Sequence, residues 1–205
     1  MELKSFNLVI VGIGGQGVIR TIQILAWAAL LENYKVRTAE THGMAQRGGS
    51  VSSFLRFGDR VEGPLIPSGN SQVIIALEAS EAVRHFRYAN SNSIFLINDK
   101  IIVPPTVHLM NMEYPDLDSV QKFLQQISSN IFIINGHEEA LKAGDIRTLN
   151  VYMLGVLSGS ERLPIKQKTL DNSIRRFVPK KSQMINKIAF QNGIEKGKII
   201  KEEIK

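Results

Sequence analysis

The sequence contains no cysteine. That absence excludes disulfides, thiolate catalysis and cysteine-ligated iron–sulfur clusters within the chain. It accords with a reducing setting, and a cytoplasmic location is expected. Histidine is scarce as well. His42, His85, His108 and His137 are scattered, and no two share a metal-ligand spacing with each other or with a carboxylate cluster. No protein-held metal is therefore expected. No apolar run reaches membrane-spanning length, and Met1-Glu2-Leu3-Lys4-Ser5 is not the start of a basic-then-apolar leader. Neither a G-x-x-x-x-G-K-[ST] loop nor a G-x-S-x-G elbow occurs. The chain holds no complete catalytic constellation, and its catalytic residues, if any, stay unassigned.

What is present suffices for one folded unit. Of 205 residues, 43% are hydrophobic, which supports a substantial core and argues against global disorder. The formal charge is +6. Part of the basic excess falls in the last third, at Arg175, Arg176, Lys180, Lys181, Lys196 and Lys198. No basic–aromatic array accompanies it, so a solvated surface is expected and nucleic-acid binding is not.

The chain is organised around its first strand and turn. Phe6 to Val11 is a short apolar run that reads as a buried strand. It enters a turn spaced G-x-G-x-x-G at Gly12, Gly14 and Gly17, with Gly15 and Gln16 inside it, and a helix follows from about Gln16 to Glu32. In that context the three glycines suit a tight turn, a close backbone approach and helix–strand packing. The helix N-terminus presents free N–H groups and partial positive charge, which suit a diphosphate or another anion. A purely structural turn is the competing reading. The helix is apolar nearly all round, since Val18, Ile22, Leu25, Ala26 and Ala29 are joined by Ile19, Ile24, Trp27, Leu30 and Leu31. Such a helix needs cover on several sides, and a homodimer of the isolated chain is one expectation.

A second strand covers Val36 to Thr41, with Glu40 near its end, 23 residues after Gly17. In a dinucleotide fold an acid there binds ribose hydroxyls; a salt bridge is the alternative. Next comes the least generic segment of the chain, Thr41-His42-Gly43-Met44-Ala45-Gln46-Arg47-Gly48-Gly49-Ser50. Thr41, His42, Gln46 and Arg47 place a hydroxyl, an imidazole, an amide and a guanidinium among glycines that include Gly48 and Gly49. Such a loop can hold an anionic or polar ligand.

Further strands are expected at Val51 to Phe57, Gln72 to Leu77, Ile94 to Asn98, Val107 to Met112 and Ile131 to Asn135. The 51–63 segment is expected to add an antiparallel hairpin. Helices are expected over Glu78 to Tyr88 and Asp116 to Ser128. The portion from about 147 reads as helical, with a stripe at Leu149, Tyr152, Met153, Val156 and Leu157 and helices over Lys166 to Phe177 and Lys181 to Asn192. Gly193 to Lys205 is rich in Lys and Glu and reads as a fraying end or a helical extension. This alternation predicts a single α/β domain over 1–205: a Rossmann-like, mostly parallel sheet with helices on both faces and a helical C-terminal portion.

Two segments together carry a family resemblance. Gly12-Ile13-Gly14-Gly15-Gln16-Gly17 and Glu40-Thr41-His42-Gly43-Met44-Ala45-Gln46-Arg47-Gly48-Gly49-Ser50-Val51 resemble the gamma-type domain of 2-oxoacid:ferredoxin oxidoreductases, nearest to the small subunits of the indolepyruvate branch. Pro64-Leu65-Ile66-Pro67, Ala76-Leu77-Glu78, Asn150 with Met153-Leu154-Gly155, and Asn186 with Ala189-Phe190 extend the similarity over nearly the whole chain. The resemblance implies a subunit of an enzyme that decarboxylates a 2-oxoacid oxidatively, with coenzyme A as co-substrate and ferredoxin as electron acceptor. It implies a large (alpha) partner subunit holding thiamine diphosphate and iron–sulfur clusters, with no cofactor held by this chain alone. Two other readings of the residues stand beside it: a self-contained NAD(P)-dependent oxidoreductase, from the glycine turn and Glu40, and a non-catalytic assembly subunit, from the apolar first helix.

Overall fold

The structure is a computed structural model and describes residues 3–42, 49–103, 107 and 113–204. Six strands form one sheet: β1 (Phe6–Ile13), β2 (Lys35–His42), β3 (Ser50–Gly58), β4 (Val73–Ala76), β5 (Ile94–Asn98) and β6 (Ile131–Ile134). Their order is β2-β3-β1-β4-β5-β6. β1, β4, β5 and β6 run parallel, in registers such as Leu8↔Val73 and Val73↔Ile94. β3 is antiparallel to both of its neighbours, pairing Leu8↔Leu55 with β1 and Thr38↔Leu55 with β2. The expected antiparallel element thus takes another form. Instead of a 51–63 hairpin, β3 inserts between β1 and β2, and residues 61–64 form no strand. Most of the expected 107–112 strand lies outside the described residues.

β1 and β4 are completely buried, as their unbroken apolar runs require of strands covered on both faces. One face is covered by α1 (Val18–Leu31), α4 (Gly136–Lys142), α5 (Leu149–Gly159), α6 (Gln167–Phe177) and α7 (Gln183–Glu203). The other face carries α2 (Ala79–Arg84) and α3 (Leu117–Leu124). Among the described helices none is long and apolar enough to cross a membrane.

The chain itself supplies cover for the apolar α1. α6 lies along it: the Ser173 hydroxyl donates to the Ile24 carbonyl at 2.6 Å, and Arg20 donates to the Phe177 carbonyl at 2.7 Å. The Arg176 guanidinium stacks 4.3 Å from the Trp27 ring centre. That cover is partial: Leu30 and Leu31, at the end of α1, are 50% and 49% exposed.

The end of the chain also differs from the fraying alternative. α7 continues as helix to Glu203 because four glycines let it lie against α5. A methyl added at Gly155 would overlap the Phe190 carbonyl oxygen, and one at Gly193 would overlap that of Tyr152. Gly159 and Gly197 interlock in the same way one turn further on, against Ile194 and Val156. The backbones are in contact, with no room for side chains between them.

Candidate functional site

The glycine turn connects β1 to α1 at the carboxyl end of the parallel strands. Gly15 (φ 102°) and Gly17 (φ 82°) take left-handed backbone that disfavours other residues. Gly12 is needed for a different reason. The Gln16 side chain folds back under the turn, its Oε1 accepting from the Ile13 amide at 2.8 Å and its Nε2 donating to the Leu77 carbonyl at 3.0 Å. A Cβ on Gly12 would lie 2.6 Å from that Oε1. β1 crosses over toward β2 and β4 toward β5, so the crevice between them is the sheet's switch point. Gln16 spans it. Gly17 is the N-cap of α1, whose first turn has neither a side-chain cap nor an acidic residue. Its N–H groups remain available to an anion.

The turn is tied to the polar loop by a hydrogen bond from the Gly14 amide to the Gly49 carbonyl, 2.9 Å. Beside it, the Ser50 hydroxyl donates to Glu81 Oε2 at 2.5 Å. The structure thus brings Gly12, Gly14, Gly15, Gln16, Gly17 and Gly49 together. Glu40 and Thr41 are placed elsewhere: both are exposed residues on β2, opposite Ser53 and Ser52 of β3, which separates them from β1. In this strand order the ribose-binding geometry inferred from a β1–β2 neighbourhood does not arise for Glu40. Gln46, Arg47 and Gly48, and the side chain of His42, lie outside the described residues.

Two buried acids at the start of α2, one of them bonded to Ser50, were not singled out as site residues from the sequence. Glu78 follows Leu77 directly, is fully buried and caps α2. Its Oε2 accepts from the Glu81 amide at 3.1 Å and its Oε1 from the Ile102 amide at 3.2 Å. Burial raises its pKa above the ordinary value, although both amides oppose the shift. Glu81, also buried, lies 3.2 Å from Arg84 Nε. The available signal was an E-x-x-E spacing directly after an apolar strand.

On the α1 side of the turn a cavity of about 520 Å³ opens between Gly15–Gly17, the residues after β5, the 145–150 segment and the α6–α7 joint. Arg20, Lys100, Arg147 and Lys181 line it. Asp145 is its one carboxylate among the described residues, and Arg147 grips it through Nε at 2.9 Å and Nη2 at 2.5 Å. Those bonds lower the Asp145 pKa to about 2. The lining also includes the amides of Asn98 and Asn150. Five separate stretches of chain meet here, so local sequence pattern gave no signal for it. The described residues contain no group of three or more His, Asp and Glu able to hold a metal ion.

A Rossmann-like sheet whose glycine turn and uncapped helix open on a cation-lined cavity defines the α/β class of this domain. Residues 7–196 match the pyruvate ferredoxin/flavodoxin oxidoreductase family, and the chain belongs to that family. It is 37% identical over 197 residues to the indolepyruvate oxidoreductase subunit IorB of Thermococcus kodakarensis, covering 96% of this chain and 98% of the relative. It is 40% identical over 187 residues to the subunit of the same name from Archaeoglobus fulgidus, covering 91% and 92%. The fold is shared with the gamma subunit of a keto/oxoacid ferredoxin oxidoreductase from Geobacter sulfurreducens (TM-score 0.72, 18% identity, 96% of this chain and 98% of that one). It is shared too with 2-oxoglutarate:ferredoxin oxidoreductase from Magnetococcus marinus, whose structure contains 2-oxoglutarate, coenzyme A and succinyl-CoA (TM-score 0.68, 19% identity). That match takes in all of this chain and 32% of the longer one.

Proposed function

We propose that this chain is the small, beta-type subunit of an indolepyruvate:ferredoxin oxidoreductase. In the proposed reaction an aryl 2-oxoacid, coenzyme A and two oxidised ferredoxins give the aryl acyl-CoA, carbon dioxide, two reduced ferredoxins and a proton. The observation that carries the reading is near end-to-end similarity to subunits bearing that name, at 37% and 40% identity. The residue chemistry agrees with a division of labour. Without a cysteine this chain has no thiolate for an iron–sulfur cluster. The large subunit would hold thiamine diphosphate and the clusters, which supply the decarboxylation and electron-transfer chemistry. This chain's part is to bind and orient: the glycine turn and the 41–50 loop, joined at Gly14 and Gly49, would position the anionic part of a substrate or seal the partner's reaction chamber.

A stand-alone NAD(P) enzyme is less well supported. Gln16 spans the crevice that the dinucleotide would use, and β3 separates Glu40 from β1. Reconstitution tests the proposal. Turnover of indolepyruvate with coenzyme A and ferredoxin should require both chains; full turnover by the large subunit alone would overturn it.

A further inference from the structure

We infer that Glu81 is a positioning residue: through Ser50 it fixes the glycine turn for the reaction proposed above, a role that rests on that reading. Glu81 stands in the first turn of α2 and is 3% exposed. Its Oε2 accepts from the Ser50 hydroxyl at 2.5 Å. Ser50 opens β3 and pairs with Ile13, the last residue of β1. The preceding carbonyl, that of Gly49, accepts from the Gly14 amide at 2.9 Å. A path of bonds thus runs from a carboxylate on α2, through residues 49 and 50, to the second glycine of the turn. Glu78, three residues earlier, ties α2 to the segment after β5 in the same way, its Oε1 accepting from the Ile102 amide at 3.2 Å. The two acids secure two connections at the carboxyl end of the sheet.

Stability alone accounts poorly for this carboxylate. Its nearest cations are Arg84, whose Nε lies 3.2 Å from Oε1, and His85, whose Nδ1 lies 3.8 Å from Oε2. Pairs at that helical spacing form equally well on an exposed face and contribute little. Glu81 instead gives up water to reach Ser50, 31 residues earlier in the chain. An apolar residue of similar volume would serve packing as well or better. What the acid alone provides is direction. An apolar side chain holds β3 beside α2 at any of several small offsets, whereas a short hydrogen bond to the Ser50 hydroxyl selects one. The turn needs that outside support. Its left-handed residues, Gly15 and Gly17, have no side chains to hold them, so its N–H groups point where the neighbouring chain sets them. A displacement of about 1 Å at such a group costs on the order of a hundredfold in rate.

The test compares Ser50→Ala, Ser50→Thr and Glu81→Gln with the parent. On the free chain, hydrogen exchange followed by NMR reads the Gly14 amide, which bonds to Gly49, against the Leu77 amide, which bonds to Val11. Ser50→Ala should speed exchange at Gly14 at least about tenfold and leave Leu77 within about twofold. Glu81→Gln keeps an oxygen for Ser50, but a weaker acceptor, and should change Gly14 in the same direction by less. Ser50→Thr keeps the hydroxyl and should return Gly14 to within about threefold of the parent. In two-subunit complexes of matched stoichiometry, assayed well below their melting temperatures, Ser50→Ala should lower catalytic efficiency with indolepyruvate and coenzyme A at least about tenfold, mostly through KM. Ser50→Thr should recover it. A structural role alone would speed Gly14 and Leu77 together and lower kcat through lost complex, with KM unmoved. The inference fails on that pattern, on faster Gly14 exchange with unchanged kinetics, or on no change in either reading. Where Ser50→Ala does not fold, Glu81→Gln decides by the same two readings. A parent complex that does not turn over indolepyruvate overturns the proposed function and the positioning role together; unchanged Gly14 exchange beside an active parent complex overturns the positioning role alone.

Discussion

Gln16 gives the G-x-G-x-x-G spacing a local structural role. Its amide bridges the Ile13 N–H and the Leu77 carbonyl, and Gly12 is small because that side chain lies against it. Gln16→Leu keeps the volume but orphans a backbone N–H in the turn, so unfolding in urea should show a loss of about 1–3 kcal/mol. An unchanged midpoint would show that the bridge carries no stability. Glu78 supplies a pH signature. Its folded pKa lies above the ordinary 4.5, so the folded state holds the proton more tightly. Between pH 4.5 and the raised value the folded state binds more protons than the unfolded one, and this group's contribution to stability falls as pH rises through that window. Glu78→Gln should remove that slope, read as the difference between the two urea-midpoint profiles; identical slopes would exclude Glu78 as its source. Arg47 belongs to the loop outside the described residues, and its prediction is chemical. A guanidinium grips a carboxylate or phosphate with two prongs and Lys does not. In matched, assembled complexes Arg47→Lys should therefore cost about 1.5–3 kcal/mol, or about 10- to 150-fold in catalytic efficiency. Unchanged Michaelis constants for both substrates would remove Arg47 from the site.

Among the elements, the α5–α7 pair has the least room for change. Gly155 and Gly159 face Gly193 and Gly197 across touching backbones. Gly155→Ala should force the helices apart and cost on the order of 3 kcal/mol. Gly63→Ala, where an added methyl meets open space, should stay within about 0.5 kcal/mol. Equal melting temperatures for the two variants would refute the interlock. This pair also shows what local pattern reveals and what it hides. The apolar runs of β1, β4 and β5 and the stripe on α5 announced themselves, because burial on both faces or on one helical stripe leaves a periodic trace. The Lys- and Glu-rich end of α7 left a frayed end and a helical extension both open, because what fixes it is a contact between glycines some 40 residues apart. The order of β3 and β2 was hidden for a similar reason: a strand's own residues state its burial, not its neighbour. Of the site, the turn and loop were visible as contiguous segments. The cavity was not, since Arg20, Asn98, Asn150 and Lys181 meet only once the chain has folded.

At the scale of the whole molecule, the insertion of β3 leaves β2 as the outermost described strand on its side of the sheet. An open β-strand is a template on which another chain can hydrogen-bond, and proteins commonly blunt it with charge. β2 carries Lys35, Arg37 and Glu40 along its eight residues. The guanidinium of Arg37 also reaches across to the Glu62 carbonyl at 3.1 Å. Those charges act against polymerisation. Replacing Lys35 and Arg37 together by Val should leave the far-ultraviolet ellipticity intact while light scattering rises with protein concentration and with time. A variant as monodisperse as its parent would show that this rim is guarded by something other than its charges.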